Sequence, residues 1–106
     1  MDDKLTVIYT SLKELTLDFV ACRRNRKETV RELRKRIDAN VIYRLEGYDL
    51  IVEAFVSLDH LTEKGFATSF AEVKYLAECF EGTRNFAREE ARNFIVGPFQ
   101  DENPPT

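Results

Sequence analysis

The stretch Leu5 to Cys22, LTVIYTSLKELTLDFVAC, decides the fold. Leu5, Ile8, Leu12, Leu15, Phe19 and Cys22 step by three and four in alternation, which draws one narrow apolar seam along a helix. Threonine and β-branched residues in the same stretch suit strands, but a period of seven sustained over this length outweighs them. No glycine or proline occurs before Gly47, so nothing in this region forces the chain to stop. A seam of this kind serves packing inside a bundle first and pairing with a second copy second, which makes a homodimer an option.

Carried onward, the seam falls on Arg26 and then resumes at Val30, Leu33, Ile37 and Val41. An arginine therefore interrupts the apolar line where two halves meet. Asn25 followed by Glu28 has the spacing of a capping box, which predicts a break near Asn25 and a second helix over 26–45. The first two segments form either a long helical hairpin or one bent helix. Beyond Gly47, Ile51, Ala54, Phe55, Leu58 and Leu61 keep helical spacing and predict a third helix over 48–64, stopped by Gly65. Ser69 and Glu72 form a second box that opens a fourth helix ending at Gly82. Thr83 is placed to cap a fifth, with Phe86, Ala87, Ala91, Phe94 and Ile95 on its apolar side until Gly97-Pro98. The fold predicted is all-α, a compact bundle of four to five helices, with residues 1–97 as a single domain and 98–106 as a polar, flexible tail.

A chain of 106 residues with 43% hydrophobic content, eight Phe and four Tyr can bury one core and is too apolar for a disordered chain. No apolar run reaches the roughly 20 residues that span a bilayer, and the start MDDKLTVIYT is unlike a signal peptide, so the expectation is a cytoplasmic protein without a membrane partner. Cys22 and Cys79 lie far apart with no CxxC, and there is a single histidine; these residues predict buried thiols and no metal.

Charge is distributed unevenly. Residues 23–36 hold eight lysines and arginines against two glutamates, a local charge of +6 in a chain whose total is −3, which leaves −9 for the rest. On a helix, Arg23, Arg24, Lys27, Arg31, Arg34 and Lys35 fall in one sector beside the apolar one and form a basic stripe. Such a stripe suits an acidic protein surface or phosphates, and Glu28 and Glu32 can also neutralise part of it as a solvated face. Exposed aromatics and glycines, which accompany many RNA-binding helices, are absent from it.

The remaining candidates are weaker. A helix-turn-helix around HLTEKGFATSFAEVKYL would present Glu72, Glu78 and Glu81 against a lone Lys74, the wrong sign for a polyanion. His60, with Asp59 beside it, Glu63 three residues on and Glu53 seven before, reads as a solvated helix side. No glycine elbow surrounds a serine and no glycine-rich loop can cradle phosphate, so neither catalytic residues nor cofactors are assigned. The reading is a small non-enzymatic regulatory or adaptor protein that binds an acidic protein through the basic stripe. Nucleic-acid binding through the same stripe is the alternative.

Overall fold

The structure is a computed structural model and describes residues 3–65 and 67–91. It is all-α. Four helices of eleven or more residues, α1 (Asp3–Val20), α2 (Arg26–Arg36), α4 (Asp49–Asp59) and α5 (Phe70–Glu81), make the bundle, and two single turns, α3 (Ala39–Ile42) and α6 (Arg88–Ala91), fill its edges. α1 is the central member and packs against α2, α4 and α5. Its seam is the reason: Leu12, Leu15 and Phe19 are fully buried, and Leu5 and Ile8 nearly so. Thr16 lies in the same core and satisfies its hydroxyl by donating to the Leu12 carbonyl at 2.6 Å.

The first two segments form a hairpin rather than one bent helix. α1 closes with paired bonds in which Arg23 N–H donates to the Asp18 carbonyl (2.8 Å) and Cys22 N–H to that of Phe19 (3.0 Å), the Schellman pattern. Cys22 takes the left-handed conformation this closure requires, at φ 62°. Glycine usually holds that position, and Gly82 does so at the end of α5 with the same pair of bonds, to Glu78 and Cys79. Cys22 is therefore exposed, not buried as the seam suggested, while Cys79 is partly covered and both thiols are free. Three residues on, Asn25 opens α2 with the expected box: its side chain accepts from Glu28 N–H at 2.8 Å, and Glu28 accepts from Asn25 N–H at 3.0 Å.

α2 is shorter than predicted. It ends at Arg36, because buried Ile37 is extended and Asp38 starts α3 by accepting from the Asn40 N–H. α4 also stops early, at Asp59 rather than at Gly65, although Leu61 remains fully buried in the turn that follows. Ser69 caps α5, accepting from Glu72 N–H, but the predicted box is only half formed, because the Glu72 carboxylate turns inward to accept from the Ser57 hydroxyl. Thr83, expected to begin a helix, instead finishes α5 by donating its hydroxyl to the Glu78 carbonyl. Of the fifth helix, only Arg88–Ala91 is helical among the described residues. It is tied back by Arg88 to Asp49 at 3.1 Å and by Ala87 N–H to the Tyr75 hydroxyl at 2.7 Å. The predicted tail at 98–106 lies outside the described residues.

Candidate basic interface

The arginine that breaks the seam is the key to how the site is built. Arg26 is only 5% exposed, buried at the start of α2 with its guanidinium 5.8 Å above the Phe19 ring. It donates to the carbonyls of Leu61 (3.0 Å) and Thr68 (2.6 Å), 35 and 42 residues away in sequence. No carboxylate pairs with it among the described residues, its Nε has no partner, and burial pulls its pKa below the ordinary value. Its role is to hold the turn between α4 and α5 against α2. A second buried set ties the same turn inward. Thr68 donates to the Ser57 carbonyl at 2.6 Å, and the Ser57 hydroxyl donates to Glu72. Burial raises the Glu72 pKa and the charge of Glu53 adds to it, against the Ser57 hydrogen bond and His60, which lower it.

The turn so fixed forms one wall of an open groove of ≈ 600 Å³ whose other wall is α2. Lys27, Arg31, Arg34 and Lys35 line it from the helix, Lys64 faces them from the turn, and Val30 and Thr62 lie between. These four α2 residues come straight from the predicted stripe. Arg31 and Lys64 make no ion pair among the described residues, whereas Arg34 meets Asp59 at 3.0 Å and Lys35 meets Glu32 at 3.5 Å. An adjoining groove of ≈ 620 Å³ shares Arg34 and Lys35 and runs on past Ile37, Ala39 and Phe55.

Arg23 and Arg24, the other two members of the predicted stripe, are not in the groove. They precede α2, so the helical phase that aligned them does not apply. Both turn to α1, where Arg23 meets Asp18 at 2.7 Å and Arg24 meets Asp18 at 3.2 Å and Glu14 at 3.9 Å. Burial would raise the Asp18 pKa, but the two arginines outweigh it and hold it below the usual value. Arg36 closes the same edge on Glu14 and Glu32. The acidic residues of α1 thus neutralise the Arg23, Arg24 and Arg36 side of the basic segment, while on the groove side Asp59 and Glu32 each meet one cation, Arg34 and Lys35.

Lys64 is the contributor that the sequence reading missed. It sits beside a glycine in a turn, and nothing local announces that the turn folds against α2. His60 ends α4 as an exposed residue, and no group of three or more His, Cys, Asp or Glu among the described residues could hold a metal. Ser57 and Glu72 are 3% and 8% exposed, so their hydrogen bond belongs to the core. With Leu12, Leu15 and Phe19 fully buried, the α1 seam is used inside the monomer and offers no surface for pairing two copies. Among the described residues no helix is long and apolar enough to cross a membrane. No family model matches the chain, and no curated protein or solved structure does so either.

Proposed function

We propose that this chain is a small non-enzymatic regulatory or adaptor protein that binds an acidic surface of another protein through the groove between α2 and the 62–64 turn. The observation that carries this reading is the gathering of five cations, from two parts of the chain, around a groove with Val30 at its base. Cations so placed attract carboxylates over roughly 8–10 Å in physiological salt, and the aliphatic stems of the same side chains reward a partner that also brings carbon. Two free thiols agree with a reducing compartment such as the cytoplasm.

Nucleic acid could engage the same cations. The lining of the groove includes no aromatic ring on which a base could stack, and this favours a protein partner. The test is a titration of the wild-type protein with polyglutamate, mixed RNA and duplex DNA over a series of salt concentrations. The protein-partner reading expects polyglutamate to bind and the nucleic acids to be weak at physiological salt. Tight nucleic-acid binding, with a log–log salt slope that loses about one unit for each lysine replaced, would overturn it.

A further inference from the structure

We infer that the segment the groove receives is an acidic amphipathic helix, with an apolar stripe seated over Val30 and carboxylates on both flanks. This rests on the reading that the groove binds an acidic protein, and it specifies the shape of that partner.

Lys27, Arg31, Arg34 and Lys35 stand at i, i+4, i+7 and i+8 on α2, and line the groove over ~12 Å of helix. A second helix laid along α2 repeats its side chains at the same intervals, so its carboxylates can meet these cations with neither backbone bending. Lys64 stands on the far wall and meets the other flank. Between the walls Val30 forms the base but is only 5% exposed, so the apolar surface is chiefly the aliphatic stems of the lysines and arginines, which an apolar side chain covers at a gain and a phosphate does not use. A second copy meeting it groove to groove is a poor occupant, because it would bring the same five cations. An extended peptide gains most from an open sheet edge, and none exists among the described residues.

The Arg34–Asp59 pair adds a feature of its own. It stands where the two grooves meet, since both residues line the second groove and Arg34 lines both. A helix long enough to run from Lys27 past Ile37 crosses this pair, so its carboxylate competes with Asp59 for Arg34. Asp59 is thereby a built-in competitor that weakens the partner's hold.

The probe is a fluorescent synthetic peptide of about four helical turns, made of Glu and Ala with leucines along one stripe. It is compared with the same peptide carrying Gln for each Leu and with a thymidine oligonucleotide. The leucine peptide should bind, and the Gln-for-Leu version should bind about tenfold more weakly or worse for each leucine covered. The variant Lys27→Gln, Arg31→Gln, Lys35→Gln, Lys64→Gln, checked for an unchanged helical spectrum, should lose the leucine peptide. Asp59→Asn should tighten it by about two- to fivefold. Equal binding of the two peptides would overturn the amphipathic helix while leaving the acidic-partner reading intact. Binding of the oligonucleotide alone would overturn both. No binding of the leucine peptide, or no gain from Asp59→Asn, would each count against the inference.

Discussion

Replacing Arg26 by methionine tests whether the arginine in the seam is a fault or a fastener. Methionine has similar length and flexibility and fills the space over Phe19, so the change removes the guanidinium with little new cavity. Lost with it are two hydrogen bonds from a charged donor, to Leu61 at 3.0 Å and Thr68 at 2.6 Å. Bonds of this type contribute about 1.5–3 kcal/mol each, so the gross loss is about 3–6 kcal/mol. Working against that loss is relief from burying a cation that has no carboxylate partner and an unsatisfied Nε. Taking the relief as about half of the gross loss leaves a net destabilisation of about 1.5–3 kcal/mol. Urea denaturation of wild type and variant measures it, and the slope against urea should stay unchanged if both unfold from the same compact state. Hydrogen exchange supplies the local signature, with the amides of the 61–68 turn losing protection before those of α1. A variant as stable as the wild type, or more so, would mean that desolvation outweighs both bonds and that the turn does not depend on Arg26.

Three further outcomes follow from the same geometry. Cys22→Gly should raise stability by about 0.5–1 kcal/mol, because the left-handed position that closes α1 strains any residue with a Cβ; thermal unfolding reads this, and a lower melting temperature would refute it. Leu12→Ala and Leu15→Ala should each cost about 2–5 kcal/mol in chemical denaturation of the monomer, since both side chains are fully buried. Glu72 has a pKa raised above 4.5 in the fold, so its folded state holds a proton that the unfolded chain gives up: its contribution is fully present below 4.5 and is lost as pH rises through the folded value. Glu72→Gln should therefore gain stability relative to wild type as the pH of the denaturation series climbs above 4.5, and a difference that stays constant with pH would contradict the assignment.

The sequence was most informative where side chains act on their own neighbours. The Asn25 box, the Ser69 cap and the glycine stop at Gly82 are local bonds over three or four residues, and each stands where spacing placed it. The seam of α1 was legible for a similar reason, because one helix needs one buried face. Cys22 was misread because the closing position of a helix is normally announced by glycine, and here the backbone bonds impose the left-handed turn on a cysteine. The ends of α2 and α4 were misread because residues that keep the apolar rhythm, Ile37 and Leu61, are buried from non-helical segments. Arg26 carried a signal, a charge at a seam position, but its partners are distant backbone carbonyls, which a sequence does not mark. The basic stripe was legible in its α2 half, whereas its split by Glu14 and Asp18, and its completion by Lys64, depend on which elements pack together.

The most direct test of the central claim is capture from an extract of the native cell, with and without nuclease, using wild-type protein and the variant in which Lys27, Arg31, Lys35 and Lys64 are glutamine. The account predicts a protein partner that wild type retains after nuclease treatment, that ~0.5 M salt releases through screening of the groove, and that the folded variant fails to hold. A partner that disappears with nuclease, or one that the variant keeps as firmly as wild type, would contradict it.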